Sequence, residues 1–488
     1  EKELFGGKNP KKKRPKKKMN KTIFWVIAIL TFVILIFELL TIHRIMANQF
    51  NEKEFKRIIQ VEQEDAKKYS ENFTVKEETK GNVEVQALIP TDALGNPIEA
   101  IAAQMDSLKQ SILEKYAGAS KKTLIFLKTY QTKVISSVND IHYYVSVYQQ
   151  KDRGFEQVEF EELSHQLVFA DSLKPFEIAK LFNNELAMSN FFVKKALGEA
   201  KANGLSIEQT EKITAQFMDG NWKKLDASII QNGIRVKFKD ANDQEAQWTI
   251  PFTELFAYMN ENMIPETEKD NYVQYRASVK EKLGKKRVAL SFDDGPSPEL
   301  TPKVLDLLKQ YNAHATFYIV GGHVEGNEEI IRQIVAEGHE LGNHSYSHPF
   351  LPKKSADEVY NEVKKTSDLI AKASLGLRPM SLRPPYGGYN KMVADQAGIA
   401  IVNWSIDSLD WKYRDAAKTI EHIKENTHNG GILLMHDIHA ESVEALPVVL
   451  EYLKSEGYEL VTVEELMAGQ PLKPNYAYFN RVDVQKID

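Results

Sequence analysis

Residues 288–296 read Val-Ala-Leu-Ser-Phe-Asp-Asp-Gly-Pro. The apolar run predicts a strand over 288–292, and two carboxylates follow it directly. In β/α barrels the functional residues gather where the parallel strands end, because the following loops converge on one face. This stretch therefore indicates an α/β fold with chemistry at the ends of its strands.

Strands and helices are predicted to alternate through the remainder of this region. The predicted strands are 315–320, 340–342, 380–383, 399–406, 431–436 and 458–463. The predicted helices are 302–311, 328–337, 356–373, 391–397, 415–427 and 443–455. Repeated β-α units predict a parallel sheet or barrel over 276–475, followed by a C-terminal tail at 476–488.

Polar residues capable of chemistry follow five of these strands. They are Asp293-Asp294-Gly295, His344 with His348, Arg383-Pro384-Pro385-Tyr386-Gly387, Asp407 to Asp410-Trp411, and His436-Asp437. Each group alone is weak evidence, since Asp-Asp-Gly is more often a turn and Asp-Trp more often a helix cap. Because all five stand at strand ends, we expect them to share one pocket.

Composition limits the function classes. The chain has 488 residues, enough for two or three domains, and a formal net charge of -5 that does not suggest nucleic-acid binding. It contains no cysteine, which excludes disulfides, thiolate metal sites and cysteine nucleophiles. Any metal ion must therefore be held by His, Asp or Glu.

The N-terminus joins a basic run to an apolar one. Residues 1–21 contain ten Lys or Arg and two Glu, and residues 22–37 are almost wholly apolar. About 20 apolar residues span a bilayer, and positive flanks stay in the cytoplasm. We predict a basic cytoplasmic segment at 1–21 and a transmembrane signal-anchor at 22–43. A cleaved signal peptide is disfavoured because no small-x-small cleavage site follows.

Two regions separate this anchor from the barrel. Residues 44–82 are rich in charge with few helix breakers, which predicts a helical or flexible stalk. Residues 83–275 mix candidate strands and helices and indicate one or two small α+β extracellular modules. No paired carboxylates with a histidine cluster occur there, so this region is predicted to be non-catalytic. The candidate strands are 83–88, 123–127 and 142–148, and the candidate helices are 97–116, 177–197 and 207–217.

The strand-end groups carry a family resemblance. The stretches over 291–296 (Ser-Phe-Asp-Asp-Gly-Pro), 343–349 (Asn-His-Ser-Tyr-Ser-His-Pro), 383–387 (Arg-Pro-Pro-Tyr-Gly), 407–411 (Asp-Ser-Leu-Asp-Trp) and 434–437 (Leu-Met-His-Asp) resemble the five ordered motifs of the polysaccharide deacetylases, carbohydrate esterase family 4. The full layout is similar to the membrane-anchored peptidoglycan N-acetylglucosamine deacetylases of streptococci and lactococci. One departure is Ser291, where the family commonly has Thr, and this change keeps the hydroxyl.

The resemblance implies that 276–475 is a catalytic domain with a distorted (β/α) barrel, and that this domain holds a metal centre. Asp294, His344 and His348 would hold one divalent ion, zinc in the first place, with cobalt or manganese as alternatives. Three protein ligands and one open position are typical of hydrolytic zinc sites. Histidines four residues apart can face the same way on one helical turn, which is the local structure we expect for His344 and His348.

The resemblance also implies the remaining roles. Asp293 would be the general base, held by Arg383, and His436 the general acid, oriented by Asp410. The backbone N–H of Tyr386 would stabilise the oxyanion, Trp411 and Tyr386 would flank the sugar, and Leu434 would line the acetyl pocket. The other histidines of this domain are expected to be ordinary surface or packing residues: His314, His323, His339, His422, His428 and His439.

These roles define the expected function. The chain would remove the N-acetyl group from N-acetylglucosamine in peptidoglycan glycan strands, and the deacetylated wall would resist lysozyme. The alternatives are the same reaction on poly-N-acetylglucosamine, chitooligosaccharide or acetylated xylan, or a non-catalytic wall-binding protein. The expected partners are peptidoglycan and the membrane, with no nucleic acid.

Overall fold

The computed structural model of the chain describes residues 21–151 and 153–488. These residues form two compact units. The first contains the described residues up to Gln131 together with Ile141–His165, and the second contains Thr132–Asp140 and Gln166–Asp488. The predicted cytoplasmic segment 1–21 lies outside the described residues, apart from Lys21.

The first unit begins with a long helix, α1 (Lys21–Lys67). Its N-terminal part is long and apolar enough to cross a membrane by length and composition, and none of that part is buried within the protein. Trp25, Phe32 and Phe37 each expose more than half of their surface. A candidate membrane anchor therefore stands where the sequence predicts the signal-anchor 22–43.

The last turns of α1 pack against a sheet of the same unit. Ile58 and Glu62 are buried there, and Lys128 donates hydrogen bonds to Glu62 (2.8 Å) and Asp65 (2.5 Å). Removing one partner of a buried ion pair is strongly destabilising. The structure thus differs from the predicted stalk at 44–82, because the apolar and charged side chains near residue 60 have partners on the sheet.

That sheet has the order β1-β2-β3-β4-β5. Its first strand lies inside the predicted stalk and forms an antiparallel hairpin with the second, while the second and third strands are parallel and are joined by a crossover helix. The elements are β1 (Phe73–Lys80), β2 (Val83–Pro90), α2 (Glu99–Lys115), β3 (Thr123–Ile135), β4 (Val138–Gln150) and β5 (Phe155–Phe169).

The second unit opens with helices and a small antiparallel sheet around an aromatic core. Phe192, Phe217, Trp222 and Trp248 are buried in this core, with ring centroids 4.7–6.3 Å apart in the pairs they form. Aromatic side chains bury large areas and dominate such cores. The elements are α3 (Glu185–Ala202), α4 (Ile207–Thr214), β6 (Ala227–Ile230), β7 (Gly233–Lys239), β8 (Glu245–Pro251), α5 (Phe252–Leu255) and α6 (Lys269–Gly284).

This aromatic part is packed onto the β/α part of the same unit. Asn190 Oδ1 accepts the backbone N–H of Arg378 (3.1 Å), and Asn190 Nδ2 donates to the Arg378 carbonyl (2.8 Å). Leu377 belongs to the aromatic core. The compact unit therefore begins well before residue 276, because apolar and polar contacts continue across that position.

The β/α part alternates strands with helices as predicted. Its first members are β9 (Arg287–Asp293), α7 (Thr301–Gln310), β10 (Ala315–Ile319), α8 (Glu328–Ala336), β11 (Glu340–Asn343), α9 (Ala356–Ala373), β12 (Ser381–Leu382), α10 (Lys391–Ala397) and β13 (Ala400–Val402). The later members are β14 (Ile406–Asp407), α11 (Asp410–Tyr413), α12 (Ala416–Asn426), β15 (Ile432–His436), α13 (Ala440–Ser455), β16 (Glu459–Val461), α14 (Val463–Leu466), β17 (Tyr476–Tyr478) and β18 (Val484–Lys486).

The strands form a curled sheet in the order β14-β15-β9-β10-β11-β12-β13-β17-β18, with β16 also paired to β9. All these pairings are parallel except that of β17 with β18. Within the described residues no pairing joins β14 to β18, so the sheet is an open half-barrel. The predicted α/β class with a distorted barrel is confirmed.

Two details of the sheet differ from the predictions. Residues 476–488 are not a separate tail, since β17 pairs with β13 and β18 extends the edge. The predicted strand 399–406 is divided into β13 and β14. It divides at Asn403, whose N–H bonds to the Tyr478 carbonyl (2.8 Å) and whose carbonyl accepts from Arg383 (3.0 Å).

The central strand β9 is buried along its whole length. Burial of both faces is typical of a parallel strand covered on each side, and it explains why residues 288–292 lack an alternating pattern. Each fully buried Leu or Phe contributes about 1.5–3 kcal/mol. The core therefore holds the end of β9, where Asp293 lies, in a fixed position.

Candidate functional site

Asp294, His344 and His348 form a cluster at the carboxyl ends of the strands. Asp294 Oδ1 lies 3.3 Å from Nε2 of both histidines. The three potential ligand atoms lie within 4.8 Å of one another. Asp294 Oδ1 is buried and has no hydrogen-bond partner among the described residues. A buried carboxylate oxygen without a partner is costly unless a cation binds it.

The tautomer of His344 suits a metal ligand. His344 Nδ1 lies 2.6 Å from the Arg383 carbonyl, which can only accept, so Nδ1 carries the proton. Nε2 then presents its lone pair towards Asp294. A backbone carbonyl that orients the second nitrogen of a ligating histidine is a recurrent feature of metal sites. One carboxylate and two imidazoles therefore fit a divalent metal ion.

The charges of the cluster are mutually dependent. Burial alone would raise the pKa of Asp294, but His344, His436 and His348 together hold that pKa well below its usual value. Burial and the neighbouring His344 lower the pKa of His348. These directions favour an anionic carboxylate beside a neutral imidazole, the protonation states that metal ligation requires.

His344 and His348 lie in a loop, so the expectation of one helical turn is wrong. Ser345 and His348 have φ values of +62° and +58°, whereas residues of a right-handed α-helix have φ values of about −60°. Glu362 holds the loop by accepting the backbone N–H groups of Tyr346 and Ser347, each at 2.8 Å. The two imidazoles are therefore brought together by a left-handed turn that the Glu362 carboxylate anchors, and not by one turn of an α-helix.

Arg383 binds Asp293 inside the protein. The Arg383 side chain is fully buried, and its Nη1 donates to Asp293 Oδ1 (2.8 Å) and to Ser291 Oγ (2.7 Å). Its Nε and Nη2 bond to the carbonyls of Val402 and Asn403. The Ser291 hydroxyl also donates to the Leu433 carbonyl (2.7 Å). The hydroxyl of Ser291, the residue that departs from the family pattern, thus takes part in two hydrogen bonds.

A second charged pair, His436 with Asp410, also lies near Asp294. His436 Nδ1 lies 2.7 Å from Asp410 Oδ1, and His436 Nε2 lies 4.0 Å from Asp294 Oδ2. Ser442 donates to Asp410 Oδ2 (2.6 Å). Against the effect of burial, Asp410 raises the pKa of His436 to about 9. Burial would raise the pKa of Asp410, but the hydrogen bonds from His436 and Ser442 lower it.

The predicted substrate-contact residues border this site. Tyr386 is 70% exposed, and its ring centroid lies 4.8 Å from that of His348. Trp411 is 49% exposed, and its indole N–H donates to Asp407. Leu434 is buried on β15, two residues before His436. Tyr386 therefore borders the metal cluster, whereas Trp411 directly follows Asp410 and Leu434 lies on the strand that carries His436.

Several residues that neighbour the site are not indicated by the sequence. His323 Nδ1 lies 2.8 Å from the Asp294 carbonyl, and the His439 ring centroid lies 5.5 Å from that of His436. Glu362 and Ser442 anchor the histidine loop and Asp410. Neither stands within a strand-end group, and a carboxylate or hydroxyl in a helix carries no local sign of what it will contact.

The Asp437 side chain packs against Gly295 of the Asp-Asp-Gly turn. It is fully buried and accepts a hydrogen bond from Thr301 (2.5 Å), and burial raises its pKa to about 7. A Cβ atom added to Gly295 would lie 2.5–2.6 Å from both Asp437 carboxylate oxygens. Glycine at 295 is thus required for close approach, not for a turn conformation.

Gly295→Ala is expected to lower the free energy of unfolding by about 1–3 kcal/mol, because an added methyl group overpacks a buried site. It should also weaken the binding of a divalent metal ion, since the candidate ligand Asp294 is adjacent. Thermal unfolding and metal content measure the two effects. Gly198→Ala is the control, because its Cβ would meet nothing within 4 Å. Unchanged unfolding and metal content in Gly295→Ala would show that the Asp437 side chain moves aside without cost.

Two family models match the chain. A polysaccharide deacetylase model matches residues 280–402, and a model described as the peptidoglycan GlcNAc deacetylase N-terminal domain matches residues 53–273. The chain therefore belongs to the polysaccharide deacetylase family, as the sequence motifs predict.

Three relatives match parts of the chain. The peptidoglycan-N-acetylglucosamine deacetylase PgdA of Listeria monocytogenes is 37% identical over 267 residues, which are 54% of this chain and 56% of that protein. A Bacillus cereus peptidoglycan-N-acetylglucosamine deacetylase is 37% identical over 41% of this chain and 96% of its own length. The Bacillus subtilis peptidoglycan-N-acetylmuramic acid deacetylase PdaC is 40% identical over 37% of this chain and 38% of its own length. The chain thus spans little more than half of the Listeria relative.

Proposed function

We propose that this protein is a metal-dependent hydrolase that removes the N-acetyl group from N-acetylglucosamine residues of cell-wall peptidoglycan, giving glucosamine and acetate. The observation that carries the proposal is the arrangement around Asp294. A candidate metal cluster is bordered by an arginine-bound carboxylate and by a carboxylate-bound histidine. Hydrolysis of an amide requires both a base and an acid beside the activated carbonyl.

Asp294, His344 and His348 would hold the ion, and zinc suits a site of one carboxylate and two imidazoles, with cobalt and manganese as alternatives. A divalent ion bound there would lower the pKa of a bound water to about 7 and polarise the acetyl carbonyl. Every other step falls to side chains and backbone groups of the chain.

Asp293 takes a proton from the attacking water. Its Oδ1 is engaged by Arg383, whereas Oδ2 lies on the side of His344, at 3.7 Å from Nε2. Oδ2 is therefore the oxygen that receives the proton. Arg383 fixes the carboxylate in one orientation, which keeps the base aligned with the attacking water.

His436 donates a proton to the departing amine nitrogen. Its Nδ1 is engaged by Asp410, so Nε2, which faces Asp294, is the donor. The Asp410 pair keeps the imidazole charged at neutral pH, because it raises the pKa of His436 to about 9. Asp410 thus acts through His436 and does not itself contact the substrate.

The substrate is bound by groups at the rim. The backbone N–H of Tyr386 stabilises the developing oxyanion, as preorganised donors do in acyl-transfer enzymes. The exposed rings of Tyr386 and Trp411 flank the sugar, and Leu434 lines the pocket for the acetyl methyl group. Residues 83–275 are proposed to be non-catalytic, because the metal, base and acid residues all follow residue 285.

Acetate release from defined polymers tests the proposal. The purified chain loaded with zinc should release acetate from isolated peptidoglycan, and a chelator should abolish the release. Mass analysis of the digested glycan should place the loss on N-acetylglucosamine. Loss on N-acetylmuramic acid instead would favour the activity for which PdaC is named. Release from chitin oligomers, poly-N-acetylglucosamine or acetylated xylan, but not from peptidoglycan, would identify another polymer.

The alternative hypothesis is a non-catalytic wall-binding protein. It would bind peptidoglycan and release no acetate from any of these polymers under any metal loading. The complete set of base, acid and metal residues favours the enzyme. We further propose that cells carrying the active protein resist lysozyme, measured against cells with an inactive variant.

The proposed location is the membrane surface, with the N-terminus in the cytoplasm and the site outside. Protease added to intact cells without their wall is expected to digest the chain beyond about residue 50, because the basic run precedes the apolar span. A cytoplasmic marker protein should stay intact as the control. Protection of the whole chain would contradict this orientation.

A further inference from the structure

Phe350 is an exposed aromatic residue that has no role in the proposed mechanism. It stands two residues after His348, and 40% of its surface is exposed. Its ring centroid lies 6.5 Å from that of Tyr386, with an angle of 51° between the planes. The two rings are neighbouring walls of the site and not one flat surface.

The loop that carries Phe350 is held firmly on the protein. Leu351 is completely buried, and the Phe350 carbonyl accepts the N–H of Lys353 (3.1 Å). A Cβ atom added to Gly388 would lie 2.2 Å from the Phe350 ring. The ring therefore packs closely against the Gly388 backbone, and part of it stays open to solvent.

A fixed aromatic ring with an open side is suited to sugars. The C–H groups of a pyranose form an apolar face that packs on an aromatic ring, and a ring already held in place loses little entropy on binding. An isolated exposed Phe is ordinary on a protein surface. Phe350 is different because Gly388 supports it and Tyr386, at the rim of the site, stands beside it.

We propose that Phe350 binds the sugar unit next to the one that is deacetylated, so that a chain of linked units binds more tightly than a single sugar. The Phe350 ring centroid lies 6.5 Å from that of Tyr386, which is proposed to flank the reacting sugar, so Phe350 is near enough to contact a unit linked to that sugar. The proposal rests on the proposed function and adds to it a preference for linked sugar units.

Steady-state kinetics on N-acetylglucosamine oligomers tests this role. Phe350→Ala is expected to lower kcat/KM for the tetramer about 5–10-fold through KM, because the apolar contact of a single ring is lost. The value for the single sugar should hardly change, and zinc content should equal that of the wild type. Phe350→Trp should restore the tetramer rate. Tyr360→Ala is the matched control, since Tyr360 is 46% exposed but lies on α9.

Binding measurements separate this inference from the proposed function. Affinity for the tetramer is measured in the Asp293→Asn background, where turnover is slow, with and without Phe350→Ala. A 5–10-fold loss of affinity supports the subsite even if the wild type releases no acetate, the result that would refute the proposed function. Equal affinity would overturn the subsite. An equal loss of activity on every chain length, together with loss of zinc, would show that Phe350 only supports the loop of His348.

Discussion

Asp293→Asn is expected to leave zinc content unchanged and to lower the rate of acetate release by about 10²-fold or more, the usual scale for loss of a general base. The amide keeps the size of the side chain and can still accept from Arg383, but it cannot take a proton. Added zinc should not restore the rate. Zinc content and acetate release are measured on the same preparation.

Asp294→Asn should have the opposite signature. A neutral amide is a poor substitute for the anionic ligand beside two neutral imidazoles, so zinc content should fall, and activity with it. Asp306→Asn, an exposed substitution on α7, is the control for the chemical change itself. Equal zinc loss in both site variants would make Asp293 a ligand. Near-normal turnover without Asp293 would mean that the chain needs no base there.

Arg383→Met should lower the unfolding midpoint of the chain in detergent solution by about 10 °C. Removing one partner of a buried pair leaves an uncompensated charge, which costs about 3–5 kcal/mol in the free energy of unfolding. The Asp293 carboxylate would stay buried, and the carbonyls of Val402 and Asn403 would lose their donor. Methionine fills much of the space, so the charge and the hydrogen bonds are what is lost.

The double variant Arg383→Met, Asp293→Asn separates these contributions. Neutralising Asp293 should recover part of the lost stability but not all of it, because the two carbonyls still lack a donor. Arg276→Met is the control, since Arg276 and its partner Glu261 are both more than half exposed and surface pairs are worth about 0–1 kcal/mol. A midpoint for Arg383→Met equal to that of the control would show that solvent reaches Asp293 once the arginine is gone.

The sequence alone predicted the alternation of strands and helices and identified the polar residues at the strand ends. Strand β9 was predicted from its continuous apolar run, and the helix Ala356–Ala373 was predicted with its observed bounds. Both signals are local, because periodicity and capping involve residues a few positions apart. The convergence of Asp294, His344 and His436 was also predictable, since parallel strands end on one face.

Tertiary structure alone decided which groups touch. Asp293 and Arg383 are 90 residues apart in the chain, and Thr301 and Asp437 are 136 apart. The left-handed loop of His344 and His348, anchored by Glu362, replaces the expected helical turn, and β17 and β18 extend the sheet through residues that looked like a tail. Hydrogen-bond partners and edge pairings between distant segments leave no periodic trace in the sequence, because they depend on which backbone the folded sheet brings near.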